Sequence, residues 1–252
     1  MPSPHPPFRD RHDAGCQLAQ RVLQEMDDLG LHPTPEQTVV YGLPRGGVEV
    51  AEPLAQQLRC PLDVVIAKKI TRPENPELAI GAVTADGQVM RARRQMFFNR
   101  GDLHWAEARD AALARAKDQW QQLAKVTPHI HPKGRIVILA DDGIATGMTM
   151  AAAARSLASK HPASILICAP VAPQPVVSRL RHWCNAIIVL ATPSSFFSVS
   201  RYYASFPQVE MEEAIACLKR HNAPYLGEEP HLGEEMNLSE ERSPSLPTDI
   251  SE

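Results

Sequence analysis

No stretch of this 252-residue chain reaches the roughly eighteen consecutive apolar residues that a membrane-spanning helix needs, so no span is expected. The opening residues, MPSPHPPFRDRHD, lack the apolar centre of a secretory leader. Cys16, Cys60, Cys168, Cys184 and Cys217 are scattered, without the spacing of a metal or redox motif. They read as reduced thiols of a cytoplasmic protein. None of the ten histidines stands in a triad or metal-ligand pattern. The formal net charge is only −3, so nothing advertises a nucleic-acid partner.

What is present is a rhythm of short apolar runs and helical stretches. Residues 1–7 are proline-rich and expected to be disordered. Leu18, Val22 and Met26, with Leu29 closing the stripe, mark an amphipathic helix that Gly30 can stop. Thr38–Gly42, Leu62–Ala67, the run ASILICAPV and the run AIIVLA read as buried strands, with helices between them. Pro53 sits awkwardly in the helical stretch VEVAEPLAQQLR. Short strand candidates fall at Ala79–Val83 and Gln88–Arg91, and DLHWAEARDAALARAKDQWQQLAKV reads as a long helix. MEEAIACLKRH is the last helix. From Asn222 the chain is acidic and poor in large apolar residues. The expectation is an α/β domain over 8–221, a mostly parallel sheet with helices on both faces, and a disordered tail over 222–252.

Strand–turn–helix–strand occurs twice, and in such sheets ligands sit beyond the carboxyl ends of strands. Both unusual turns, Leu43–Gly47 and Asp141–Gly147, lie there. In DDGIATGMT, Gly143 and Gly147 permit tight turns and close approach. Amides at the start of the next helix, with the Thr146 and Thr149 hydroxyls, make a pocket for a phosphate monoester. No lysine follows Gly147, so this is not the nucleotide P-loop pattern. Asp141 and Asp142 would repel a phosphate but suit the paired hydroxyls of a ribose. The plainer reading is a helix cap by Asp142, with Asp141 solvated.

The combination closely resembles the ribosyl-diphosphate signature of type I phosphoribosyltransferases, whose fold, with a small hood region, matches the alternating pattern. LPRGG resembles that family's pyrophosphate loop, which implies that Arg45 and the amides of Gly46 and Gly47 meet the diphosphate. Lys68 and Lys69 fall where the family places basic residues. The resemblance gives the sugar-phosphate loop the residues Gly143, Ile144, Ala145, Thr146, Gly147, Met148 and Thr149. FRDRHDAGCQLAQRVL, RPENPELAIGAV and ATPSSFFSVSRYYASFPQVEMEEAIACL are similar to segments of the bacterial family members of unassigned substrate, so the likeness covers about residues 8–219. That subgroup has Arg-Lys where this chain has Lys68-Lys69. It has glycine and aspartate where this chain has Ser200 and Ser205, and Met90–Trp105 matches poorly.

The resemblance implies transfer of the phosphoribosyl group from 5-phosphoribosyl 1-diphosphate to a nitrogen acceptor. Asp141, Asp142 and Arg45 would be catalytic, and Mg²⁺ would arrive on the substrate, not through a protein metal site. It also admits a homodimer. Relatives acting on 6-oxopurines carry an acid where this chain has Ala145. Glu74, Glu77 or Glu107 could take the acceptor's proton instead. Phe196, Phe197, Tyr202 and Tyr203 could stack on a base or simply pack. Two alternatives stay open: a non-catalytic regulator that binds ribosyl diphosphate, and a phosphate-ester hydrolase that uses the acids as metal ligands.

Overall fold

The computed structural model describes residues 6–32, 34–72, 75–92 and 103–226, without the side chains of 72, 75–78, 103 and 104. Five parallel strands form the main sheet: β1 (Thr38–Gly42), β2 (Leu62–Val64), β6 (Ile136–Ala140), β7 (Ser164–Val171) and β8 (Ala186–Ala191). Their order is β2-β1-β6-β7-β8. A second, antiparallel sheet contains β3 (Ala67–Arg72), β4 (Asn75–Thr84) and β5 (Val89–Arg91).

Both faces of the main sheet are covered, as the continuous apolar runs require. The two-residue period of a strand sends alternate side chains to opposite faces. Val40, Ile138, Leu166 and Ile188 pack under α1 (Arg11–Asp28), α2 (Gly46–Leu58) and α6 (Met211–Asn222). Val39, Val137, Leu139 and Ile167 pack under α4 (Met148–Ala158) and α5 (Gln174–Leu180). The long helix α3 (Leu103–Ala124) runs against β3 and β4. Pro53 stays inside α2, where α1 crosses it. A Cβ on Gly15 would stand 2.9 Å from the proline Cγ, so glycine lets the two helices touch there.

Three expectations shift. Leu29 follows α1 and is 49% exposed, so the buried stripe ends at Met26. The strand expected over Leu62–Ala67 breaks after Val64. Val65 N–H still donates to Gly42 O at 3.2 Å, but Ile66 O accepts from Ala85 N–H at 3.0 Å, so the chain changes sheets between them. Lys68 and Lys69 therefore open β3 instead of closing a strand of the main sheet. Finally, Asn222, expected to begin the tail, is buried. Its side chain accepts from Leu62 N–H (3.1 Å) and donates to Leu62 O (2.7 Å) and Val126 O (3.2 Å), sealing the edge strand β2. The body continues past the expected boundary, with Tyr225 and Leu226 amides bonded to Asn222 O. The expected disorder at 1–7 and in the tail falls largely outside the described residues.

Candidate active site

The turn after β1 and the turn after β6 meet because neighbouring strands of the sheet carry them. Leu43 N–H donates to Ala140 O at 2.9 Å. Glycine is what lets the turns close. A Cβ on Gly47 would stand 3.0 Å from the Asp141 Cα, and one on Gly46 would collide with the Asp142 carboxylate and stand 2.9 Å from Arg11 Nε. Gly46 and Gly47 thus lie directly against Asp141 and Asp142. The peptide between Pro44 and Arg45 is cis.

The carboxylates have separate partners. Asp141 accepts from the Asp142 amide at 2.9 Å. Asp142 Oδ2 accepts from Arg11 Nε at 2.8 Å. Asp142 caps nothing: α4 begins at Met148, and its N-cap position is Gly147 with no side-chain hydrogen bond. Burial, then the charge of Asp142, holds the Asp141 carboxyl well above the ordinary carboxylate range. Burial raises Asp142 too, but Arg11 opposes the rise, so Asp142 is the better stabilised anion of the pair.

Arg11 escaped the sequence reading. Its side chain is 6% exposed, its Nη1 donates to Pro207 O at 2.7 Å, and its guanidinium lies 3.7 Å from the centroid of the Phe206 ring. A signal existed: Arg11 falls on the same helical stripe as Gly15, Leu18, Val22 and Met26, and a charge on a buried stripe needs a buried partner.

The loop divides into an anchor and a tip. Ile144 is buried in the core, and its amide donates to Val171 O at 2.9 Å. Ala145 and Thr146 are exposed. Gly147 has φ +74, a left-handed conformation suited to glycine. Among the described residues, the amides of Ala145, Thr146, Gly147, Met148 and Thr149 find no acceptor. A run of free amides at the start of a helix attracts an anion.

Positive charge gathers on the other side of the carboxylates. Lys68 is pushed below the ordinary lysine range by burial and by the charges of Arg45 and Arg115, while Lys69 acts electrostatically on Asp141. Adjacent residues of a strand face opposite ways, so the two lysines present their charges to different neighbours. Arg45 reaches Glu210 at 3.3 Å.

The closing segment docks on the loop. A Cβ on Gly143 would stand 2.7 Å from Val199 Cγ2, and Tyr203 OH donates to Asp142 O at 2.6 Å. Tyr203 is buried between Phe8 and Phe206, so it packs and cannot stack on a ligand. Tyr202 stacks on Phe196, and Phe197 is 74% exposed beneath Arg201. Ser200 lies on the same segment, its Oγ 3.0 Å from that of Ser198, and the Ser205 amide bonds Arg9 O. Glu107 is exposed on α3, while Glu74 and the Glu77 side chain lie outside the described residues.

Comparison with known proteins identifies the family of the chain. The family model for the phosphoribosyl transferase domain matches residues 12–188. Two Mycobacterium tuberculosis proteins named as candidate phosphoribosyl transferases, MT0597 (strain CDC 1551) and Rv0571c (strain H37Rv), are each 36% identical over 217 residues, or 84% of this chain. The chain spans 46% of the length of each. The crystal structure of TT1426 from Thermus thermophilus superposes with a TM-score of 0.70 at 34% identity, covering 84% of this chain and 98% of that one. With the doubly covered parallel sheet and the two abutting turns, these matches place the chain in the phosphoribosyl transferase domain family.

Proposed function

We propose that the chain transfers a phosphoribosyl group from 5-phosphoribosyl 1-diphosphate to a nitrogen nucleophile. The observation that carries this reading is the division of labour around Asp141–Asp142: free loop amides on one side, and the Gly46–Gly47 turn with its neighbouring cations on the other. The 5-phosphate goes to the amides of 145–149 with the Thr146 and Thr149 hydroxyls. The ribose hydroxyls donate to Asp141 and to the Asp142 oxygen that Arg11 does not hold. The diphosphate meets the amides of Gly46 and Gly47, Arg45, Lys68 and Lys69. The C1–oxygen bond to diphosphate breaks, the C1–nitrogen bond forms, and the acceptor loses a proton. These residues orient the sugar and neutralise the leaving group.

The donor set fits a metal held mainly by substrate. Two carboxylates are adjacent, one already tied to Arg11, and no group of three His, Cys, Asp or Glu side chains gathers among the described residues. Mg²⁺ bound to the diphosphate would supply charge neutralisation to the leaving group, with Asp141 and the remaining Asp142 oxygen in place to hold it or its water. The hydrolase alternative needs further ligands and has less support.

Ala145 stands exposed at the loop tip and offers no proton acceptor. Adenine, or a non-purine nitrogen base, is therefore the expected acceptor over guanine and hypoxanthine. Pyrophosphate release across a panel of bases tests this. Release that is fastest with guanine contradicts it. The same feature favours the second reading, a regulator that binds ribosyl diphosphate without turning it over. Binding with no release for any base would establish that reading.

A further inference from the structure

A second cleft lies on the far side of the sugar-phosphate loop, away from the carboxylates. It measures about 930 Å³ and is walled by α3, β5, α4 and α5. That volume lies within the range of small-molecule sites. Gly147 marks the boundary: a Cβ there would stand 2.8 Å from Val176 Cγ1 and 3.5 Å from Leu180, so α5 packs directly on the loop. Asp141, Asp142, Arg45, Lys68 and Lys69 do not line this cleft, whereas Thr146, Gly147 and Met148 do.

Its chemistry is lopsided. Arg91, Arg109, Arg155 and Arg179 line it, with no aspartate or glutamate among its lining residues, in a protein whose net charge is −3. Arg109 is paired with Asp110 at 2.7 Å, while the other three have no acidic partner among the described residues. Two of them are pinned by backbone carbonyls: Arg155 Nη1 donates to Val89 O at 3.3 Å, and Arg179 Nε to Pro175 O at 3.2 Å. Such contacts orient a guanidinium without neutralising it. Three arginines without an acidic partner among the described residues, in one concave, partly apolar site, focus a positive field that favours a polyanion. The floor is not polar. Trp183 provides a broad flat surface beside Leu180 and Val176, while the Arg91 guanidinium lies 4.2 Å over the Trp105 ring centroid and presents its own flat face in place of that ring. A bare inorganic anion has no use for these surfaces; a ring attached to phosphates does.

We propose that this cleft is a second ligand site that binds a nucleoside polyphosphate, with phosphates on Arg155 and Arg179 and the base against Trp183 and the Arg91 guanidinium that covers Trp105. Because Thr146–Met148 separate the two sites, occupancy of one biases the loop that the other uses. The coupling between them is reciprocal. The site stands on this cleft alone and does not require the transferase reading.

The test is calorimetry on the full chain with ADP as the probe, alongside adenosine and inorganic pyrophosphate. Wild type is compared with the double variant Arg155→Gln/Arg179→Gln and with Arg45→Gln. Arg155 and Arg179 are exposed, so folding is expected to survive, and thermal melts with the milder Arg155→Lys/Arg179→Lys pair check this. The expected result is ADP binding that weakens at least tenfold in the Gln pair and is unchanged in Arg45→Gln. In Arg45→Gln, where the diphosphate site beside the carboxylates is weakened, adenosine and pyrophosphate should each bind at least tenfold more weakly than ADP. No ADP binding at millimolar concentration overturns the proposal. Loss in Arg45→Gln with none in the Gln pair overturns it too, placing ADP at the carboxylates. Pyrophosphate that binds Arg45→Gln as tightly as ADP does, and is lost in the Gln pair, would overturn the nucleoside assignment. If the Gln pair instead dissociates a dimer seen by sedimentation, and ADP does not bind, the cleft is an interface between copies.

Discussion

Asp141 is held in an environment that disfavours its own charge. An acid whose folded-state pKa exceeds its unfolded value makes the fold less stable as pH rises, beginning near the ordinary value of 3.8 and continuing through the raised one. Asparagine has no such penalty and keeps an acceptor for the Asp142 amide. Asp141→Asn is therefore expected to raise the thermal midpoint at neutral pH, with the gain vanishing below the ordinary carboxylate range. A midpoint that falls at pH 7 would show that the charge is compensated. Arg11 is the opposite case. Arg11→Gln leaves Asp142 without its cation in a partly buried site, at an expected cost of about 3 kcal/mol. Adding Asp142→Asn to Arg11→Gln should recover much of that loss in a double-mutant cycle by denaturant unfolding. Additive losses would mean that Arg11 acts mainly through Pro207 and Phe206. Lys68 predicts a pH effect with the reverse sign. Its folded-state pKa is depressed and a bound diphosphate favours the charged amine, so binding should weaken as pH climbs toward 10 and should take up protons. Affinities measured between pH 7 and 10, against Lys68→Gln, check this.

Elements were legible where their pattern was local. The parallel strands and their connecting helices could be read because each strand is an unbroken apolar run and each helix has its own stripe. The two glycine-rich turns were legible because only a few residue types tolerate their geometry. The break after Val64 was not, since the apolar run Leu62–Ala67 continues through it and the change of partner from β1 to β4 depends on distant residues. In the ribbon β3-β4-β5, sequence patterning marked only Ala79–Val83 and Gln88–Arg91; the pairing of β3 with β4 is local but shifts register between Ile70 and Thr71 and between Thr71 and Arg72, which interrupts the two-residue alternation. The hood aromatics gave no sign in sequence of which would pack. Tyr203 does, and its hydroxyl ties the closing segment to the loop through Asp142 O. Tyr203→Phe should cost about 1 kcal/mol of stability and loosen the attachment of residues 199–203. Hydrogen exchange of that segment, unchanged from wild type, would argue against the latch.

The whole molecule places its charge transitions at one end of one sheet. The Gly46–Gly47 turn follows β1 and the carboxylates and loop amides follow β6, so they converge because the strand order sets β1 beside β6, while Lys68 and Lys69 come from β3 of the second sheet. Arg11 and Asp142, 131 residues apart in sequence, meet by that same convergence, which is why their pairing was invisible in the linear chain. Asn222 plays a comparable role at the sheet's edge, where it replaces a missing neighbouring strand for Leu62. Removing residues 227–252 should leave the thermal midpoint within about a degree, whereas Asn222→Ala should lower it by roughly 4–8 °C for a loss of about 2 kcal/mol in a domain of this size. A large drop on truncation would show that the tail docks on the body.

In the proposed reaction, Asp141 recognises sugar hydroxyls while the flanking amides and cations recognise phosphates. Calorimetry of wild type and Asp141→Asn, with 5-phosphoribosyl 1-diphosphate plus Mg²⁺ and separately with inorganic pyrophosphate, tests it most directly. The variant is expected to lose roughly 5- to 100-fold in affinity for the ribosyl ligand, the value of one to two charge-assisted hydrogen bonds, and to keep its affinity for pyrophosphate. Equal loss of both ligands, or no binding of the ribosyl ligand to wild type at millimolar concentration, would contradict it.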